Sequence, residues 1–191
     1  MQRINVVGTS CSGKSTLARA IARRRKLPFV ELDALFWGPG WKPVTPDLFR
    51  SLVSDAVVAD RWVLDGGYST VRPIIWERAD TIIWLDYPMR TVLARWARRT
   101  LIRLGTREEF WPGTGNRERL SHIVGRDSLL SWILSTHRRR RRTMANELAA
   151  HPRLRLIRLR SPFQTAQWLA TIQPASSPST TTAAIASAQK P

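Results

Sequence analysis

The sequence predicts an α/β protein with a parallel β-sheet. Short apolar segments that fit buried strands occur at 3–7, 27–33, 61–65, 81–86 and 153–159. Segments with the apolar spacing of amphipathic helices lie between them. Strands that alternate with helices favour a parallel sheet. The first strand also leads through a glycine-containing loop directly into a helix, so a ligand site is expected at this edge of the sheet.

The composition fits one globular domain with a strongly basic charge. The chain has 191 residues, 43% of them hydrophobic, and its 31 Lys and Arg against 14 Asp and Glu give a net charge of +17. Such an excess implies anionic partners, whether nucleotides, phosphorylated metabolites or nucleic acid. Arginine-rich codon usage on solvated surfaces would also raise the charge, so charge alone does not choose among these partners.

The expected compartment is the cytoplasm. No stretch approaches the roughly 18 uninterrupted apolar residues of a membrane span. The first residues enter a strand directly and leave no room for a cleaved signal. The only cysteine, Cys11, excludes an internal disulfide, and we interpret it as a small residue tolerated in a loop.

Residues 8–16 match the pattern G-x-x-x-x-G-K-[ST] of a phosphate-binding loop. Gly8 and Gly13 allow the backbone to approach a polyanion, and successive N–H groups form an anion nest at the start of a helix. Lys14 would contact the β- and γ-phosphates, and the Ser15 hydroxyl would coordinate Mg²⁺. The nucleotide-binding residues predicted in this way are Gly8, Thr9, Ser10, Cys11, Ser12, Gly13, Lys14, Ser15 and Thr16.

Three acids follow apolar segments and are candidates for chemistry. Asp33 ends the second predicted strand and is expected on the acceptor side. Asp65 ends the third, and Asp86 ends the fourth in the same way, so both compete to orient Mg²⁺. We favour Asp65, because the two glycines after it allow a ligand to approach closely.

An aromatic segment, 34–43, is predicted to be an ordered loop that either packs inside or forms one wall of a binding site. Trp37 is our acceptor-binding candidate there. Thr45 and Pro46 then open a helix, whose buried stripe is predicted to be Leu48, Leu52, Val53, Ala56 and Val57.

Arginines dominate the second half of the chain. Arg72 would clamp an anionic acceptor or form a surface ion pair. A helix from Pro88 should bury Val92, Leu93, Trp96 and Leu101. Residues 105–126 lose periodicity and carry glycines among arginines, which fits a closing lid at about 100–126 or a surface loop without a catalytic part. Our candidates for charge neutralisation are Arg95, Arg99 and Arg107.

Asp127 is predicted to cap a long helix with the stripe Leu130, Ile133, Leu134, Met144 and Leu148. Its five consecutive arginines, 138–142, cover the full circumference, so about two are expected to reach a nucleotide and the rest to be solvated. Residues 153–159 should form an edge strand with an arginine face. The domain is predicted over 1–173, with 174–191 as a disordered tail.

Four segments together resemble the adenylate-kinase-related P-loop proteins, nearest the topology-modulation protein group. They are the loop at 8–16, Leu32 to Trp37, Leu64 to Tyr68, and Ala79 to Pro88. The resemblance implies a three-layer P-loop NTPase fold with sheet order 2-3-1-4-5, a helical lid, and ATP as phosphoryl donor. In that order the third strand lies beside the first, which again favours Asp65. The resemblance also places Asp33 near the acceptor hydroxyl.

One departure bears on the acceptor. Nucleoside monophosphate kinases have Asp-Gly-Phe-Pro-Arg after the third strand, whereas Asp65-Gly66 is followed here by Gly67-Tyr68-Ser69-Thr70-Val71-Arg72. The arginine is displaced and the proline is absent, which argues against a nucleotide acceptor.

These observations predict an ATP- and Mg²⁺-dependent phosphotransferase, a small-molecule or nucleotide kinase with an unidentified acceptor. Two alternatives stay open. One is a nucleic-acid-binding ATPase, which would show salt-dependent DNA binding and DNA-stimulated hydrolysis. The other is a nucleotide-binding regulator without catalysis.

Overall fold

A parallel sheet with helices around it forms the domain in this computed structural model, which describes residues 1–106, 109–111, 114–116 and 128–174. The strands are β1 Arg3–Gly8, β2 Phe29–Glu31, β3 Trp62–Asp65, β4 Thr81–Leu85 and β5 Arg155–Leu159. The helices are α1 Lys14–Arg25, α2 Leu32–Phe36, α3 Pro46–Ala56, α4 Arg72–Arg78, α5 Met89–Thr106, α6 Leu129–Ala149 and α7 Pro162–Thr171, with a short 3₁₀ turn at Pro39–Trp41.

The strand order is β2-β3-β1-β4-β5, and every neighbouring pair is parallel. The predicted fold class and order are therefore confirmed. In this register Asp65 lies beside both Val6 and Glu31, and Gly8 lies beside Leu85. The carboxyl ends of four strands thus meet at one edge, where α/β proteins bind ligands.

Alternate residues of the strands fill two separate cores. Val7, Leu64 and Ile82 face one core, together with residues of α3, α4 and α6. Val6, Val63 and Ile83 face the other, together with residues of α1, α5 and α7. Because successive strand side chains point to opposite faces, the strands read as continuous apolar runs rather than as alternating ones.

Some sequence predictions of local structure are wrong. The second strand ends at Glu31, so Asp33 lies in the first turn of α2 rather than at a strand end. The 34–43 segment begins inside that helix instead of being loop throughout. In the stripe predicted for α3, Val53 and Val57 are buried as expected, but its first buried residue is Phe49, because Leu48 is 49% exposed.

In α5, Val92 is buried as predicted, but Leu101 is 72% exposed. The N-cap of α6 is Ser128, whose hydroxyl accepts from the Ser131 amide at 3.2 Å. The cap predicted at Asp127 lies outside the described residues.

Ile133, Met144 and Leu148 are buried in α6, and Leu134 is 51% exposed, against the prediction. β5 pairs with β4 at the edge of the sheet, as predicted. The tail beyond 174 lies outside the described residues, as does much of the predicted lid, so the domain and lid boundaries stay predictions. No helix of the described residues is long and apolar enough to cross a membrane.

Candidate functional site

The predicted phosphate-binding loop connects β1 to α1 at the carboxyl edge of the sheet. Gly13 is the N-cap of α1 with φ +90°, a left-handed conformation that favours glycine. A Cβ at Gly13 would also collide with Nη1 of Arg95. At Gly8 a Cβ would lie 2.9 Å from the Leu85 carbonyl oxygen. The loop therefore needs glycine at both motif positions, which accounts for the pattern in this chain.

The loop aims its polar groups at one place. Helix α1 begins at Lys14, so the positive end of its dipole and its unpaired N–H groups face the loop. Cys11 also has a positive φ, +64°, and the amide of Ser12 donates to the Thr9 carbonyl at 3.1 Å. This backbone is an anion-binding concavity of the kind that holds phosphates.

Asp65 lies at the end of β3, 3% exposed, next to Lys14 and Ser15. Burial raises the pKa of Asp65, while Lys14 and a hydrogen bond with Ser15 act in the opposite direction. Within the described residues, its Oδ1 is buried without a hydrogen-bond partner. A buried carboxylate oxygen without a partner, beside a hydroxyl at a phosphate-binding loop, fits the ligand set of Mg²⁺.

Neighbouring side chains position Asp65. Asn5 on β1 is buried, and its Nδ2 donates to the Gly66 carbonyl at 2.9 Å. The Trp76 indole donates to Asn5 Oδ1 at 3.0 Å. Gly66 has φ +131°, and a Cβ there would lie 2.8 Å from the Leu32 Cβ. The turn after β3 is thus fixed from two sides.

Asp86, the competing acid, forms ion pairs within the protein. Its side chain is fully buried and is held by two arginines, Arg141 and Arg158. Arg141 Nη2 donates to Oδ2 at 2.9 Å, and Arg158 Nε and Nη2 donate to the same oxygen at 2.9 and 2.6 Å. These hydrogen bonds occupy the Asp86 carboxylate, whereas Oδ1 of Asp65 has no hydrogen-bond partner among the described residues. The comparison favours Asp65 as the metal candidate.

A cavity of about 890 Å³ opens beside the loop. Eight of the predicted site residues line it: Gly8, Ser10, Lys14, Ser15, Asp33, Trp37, Arg72 and Arg99. Seven other predicted site residues do not line the cavity: Thr9, Cys11, Ser12, Gly13, Thr16, Asp65 and Arg95. Arg107 lies outside the described residues. The cavity therefore brings phosphate-binding and acceptor candidates together.

Asp33 lies in this cavity, where the Tyr68 hydroxyl donates to its Oδ1 at 2.6 Å. Burial raises the pKa of Tyr68, and the negative charge of Asp33 raises it further, so Tyr68 stays a proton donor. Glu31 also lines the cavity and pairs with Arg19. Burial raises the pKa of Glu31, with Asp65 and Asp33 adding to the effect.

Aromatic rings form one wall, as expected for the 34–43 segment. Trp37 and Trp41 meet edge to face with ring centroids 5.8 Å apart, and Phe110 lies 4.8 Å from Trp41. Buried Asn116 ties this wall together: its Oδ1 accepts from the Trp41 amide at 2.9 Å, and its Nδ2 donates to the Gly38 carbonyl at 3.0 Å. Its carbonyl accepts from the Phe110 amide at 2.8 Å.

The three predicted arginines that are described lie in different places. Arg95 Nη1 donates to the Ser12 carbonyl at 2.6 Å, so it supports the loop from outside the cavity. Arg99 lines the cavity. Arg72 lines the cavity and forms an ion pair with Glu147, in which the Arg72 side chain is 12% exposed rather than at the surface as the alternative expected. Its role as a clamp for an anionic acceptor stays a prediction.

Sequence reasoning missed several residues of this cavity. They are Glu31, Tyr68, Arg103, Trp132, Arg139 and Arg140. Arg139 and Arg140 belong to the run of five arginines of which about two are expected to reach a nucleotide, and that contact stays a prediction. The expectation that the others are solvated is wrong for Arg141, which pairs with buried Asp86. Tyr68 directly follows the two glycines after Asp65, a position that could have suggested it.

No protein-family model and no curated protein sequence matches the chain. Solved structures do match. A sugar kinase from a Janibacter species is 20% identical over 89% of this chain and 93% of its own, with a TM-score of 0.47. A gluconokinase from Sinorhizobium meliloti is 20% identical over 88% and 91%, with a TM-score of 0.48.

A shikimate kinase from Bacteroides thetaiotaomicron is 16% identical over 88% of this chain and 94% of its own, with a TM-score of 0.50. At this identity the likeness shows that the chain has the fold of a P-loop kinase, and nothing about its substrate. The resemblance to the topology-modulation group stays a prediction.

Proposed function

We propose that the protein is an ATP-dependent phosphotransferase that moves the γ-phosphoryl group to a hydroxyl of a small molecule. One observation carries the proposal: Lys14 and Ser15 of the loop line the same cavity as Asp33 and its partner Tyr68. A phosphate-binding end and a carboxylate suited to a hydroxyl thus share one space, which a binding module without catalysis would not require.

The loop amides and Lys14 would hold the β- and γ-phosphates. Ser15 and Asp65 would hold Mg²⁺, which when bound neutralises charge on the phosphates. The acceptor oxygen attacks the γ-phosphorus, the bond from that phosphorus to the β–γ bridging oxygen breaks, and ADP leaves. Asp33 takes the hydroxyl proton. Tyr68 orients the Asp33 carboxylate through its hydrogen bond.

Exclusion of water matters because water would otherwise accept the phosphoryl group. The aromatic wall of Trp37, Trp41 and Phe110 covers one side of the cavity with apolar surface. Arg99 lines the same space and would stabilise the charge that develops on the transferred group. Arg107 stays a candidate for the same task from the sequence.

The first test is ADP formation by purified protein with ATP and Mg²⁺ against pooled metabolites, with nucleotide binding measured in parallel by calorimetry. Lys14→Ala is expected to abolish turnover. Asp33→Asn is expected to leave the Kd for ATP unchanged and to lower kcat by about 100-fold or more, because general-base catalysis contributes that much. Full transfer activity in Asp33→Asn would overturn the role of Asp33, and absence of nucleotide binding in folded protein would overturn the proposal itself.

A further inference from the structure

Arg140 places a positive charge in the cavity near Tyr68. It projects from α6, is partly buried, and lines the cavity with Asp33 and Tyr68. Its guanidinium carbon lies over the Trp132 ring, 4.6 Å from the ring centroid, which is within the range of a cation–π contact.

The surroundings of Arg140 disfavour its charge. Burial lowers the pKa of Arg140, and the nearby guanidinium of Arg72 lowers it further, while Tyr68 acts in the opposite direction. Among the residues that the structure describes, no carboxylate pairs with Arg140. Its neighbours differ in this respect, since Arg72 pairs with Glu147 and Arg141 pairs with Asp86.

A partly buried guanidinium of this kind is stabilised by an anion, and the cavity is where an anion can enter. The fork of one arginine matches one planar carboxylate in a bidentate arrangement. A phosphate ester carries about two negative charges at neutral pH. It would need a second cation, but of its arginine neighbours in the lining Arg72 is neutralised by Glu147 and Arg139 is exposed. Asp33 would also repel a phosphate ester more strongly than a carboxylate.

We propose that the acceptor is a hydroxy acid, whose carboxylate binds Arg140 while its hydroxyl faces Asp33 and Tyr68. The proposal rests on the phosphotransferase function and specifies its substrate class. The carbon chain between the two groups would pack against the cavity's aromatic rings, Trp37 and Trp132 among them. Phosphoryl transfer then yields ADP and the phosphate ester of the hydroxy acid, with the hydroxyl proton passing to Asp33.

The experiment compares matched acceptors with the full-length protein, ATP and Mg²⁺. The probes are hydroxy acids of three to seven carbons, such as glycerate and gluconate. Their neutral counterparts, glycerol and glucitol, and a phosphate ester, glycerol 3-phosphate, form the comparison set. ADP formation and the phosphorylated product are measured. Turnover confined to the acids is expected, and preferential phosphorylation of the neutral alcohols or of the ester would overturn the substrate class.

The residue is tested with Arg140→Gln. Loss of a charge-assisted bidentate contact is expected to raise the KM for the acid by about 10- to 100-fold, with the Kd for ATP unchanged. Arg140→Lys should recover only part of this, because lysine lacks the planar fork. The control is Arg142→Gln, which removes the same charge from an exposed position of the same helix outside the cavity lining. An equal change of KM in both variants would overturn the role of Arg140.

Measuring nucleotide binding distinguishes a wrong substrate class from a wrong phosphotransferase function. If ATP and Mg²⁺ bind but no hydroxy acid of the set is phosphorylated, the substrate class is wrong while the nucleotide site stands. If ATP does not bind to folded protein, the phosphotransferase function fails first.

Discussion

Asp86→Asn separates the two acids that compete in the sequence. The Asp86 carboxylate is completely buried, and its partners Arg141 and Arg158 are 43% and 36% exposed. Removing one partner of a buried ion pair costs about 3–5 kcal/mol. Solvent screening of the two exposed guanidinium groups reduces that figure, so we expect a loss of about 2 kcal/mol.

For a chain of this size, about 1 kcal/mol corresponds to a Tm change of roughly 2–4 °C, so Tm should fall by about 4–8 °C. The matched variant is Asp65→Asn, the same change at a buried position at the end of β3. Burial raises the pKa of Asp65, so its charge opposes folding and removing it should leave Tm unchanged or higher.

Both variants are measured by thermal denaturation without ligand and by ATP turnover as a function of Mg²⁺ concentration. Asp86→Asn should keep the Mg²⁺ dependence, and Asp65→Asn should lose turnover. An unchanged Tm in Asp86→Asn would refute the argument from the two ion pairs. If Asp86→Asn raised the Mg²⁺ concentration needed for turnover more than Asp65→Asn did, the metal-binding role would have to be assigned to Asp86.

Three further predictions follow from the geometry around the cavity. Gly66→Ala should lower Tm by several degrees, because a Cβ at φ +131° would press on buried Leu32; Gly67→Ala is the control, since its Cβ would lie 3.6 Å from Val7 Cγ1, an ordinary contact. Asn116→Ala removes two side-chain hydrogen bonds of about 1 kcal/mol each and should raise the acceptor KM while leaving the ATP Kd unchanged, as steady-state kinetics would show. The free energy of unfolding without ligand should also depend on pH. Burial raises the pKa values of Glu31 and Asp65, so folding favours their protonated forms. The resulting stabilisation is complete at acidic pH and is lost as the pH rises above the ordinary pKa values of these groups, 4.5 and 3.8. In a Glu31→Gln/Asp65→Asn variant, the free energy of unfolding should fall less as the pH rises, which denaturation at several pH values would measure. A pH dependence identical to that of the unmodified protein would contradict this prediction.

The phosphate-binding loop was predictable because its requirements are local. Gly13 needs a left-handed backbone, and Gly8 has a neighbouring strand too close for a side chain, so both positions appear as a motif in the sequence. The sheet order followed from the resemblance, and the strands followed from apolar runs. The choice of Asp65 over Asp86 rested on the glycines after it, which is also a local signal.

The partners of Asp86 were not predictable, since Arg141 and Arg158 lie 55 and 72 residues away in the sequence. The same is true of Arg140. A run of five arginines covers every face of a helix, and only the burial of Ile133, Met144 and Leu148 determines which of them turns toward the cavity. The roles of Lys14, Asp33 and the other site residues stay predictions until the variants are measured.

The net charge of +17 is distributed in a way that bears on function. Arg141 and Arg158 neutralise one buried acid, and Arg153 donates to the backbone carbonyls of Trp76 and Glu77. These arginines hold helices and strands together and need no external partner. Arg140, by contrast, has no carboxylate partner among the described residues and lines a cavity that begins at a phosphate-binding loop. Arginines that line a cavity favour a small anionic substrate, whereas a nucleic acid would need its cations on an open surface.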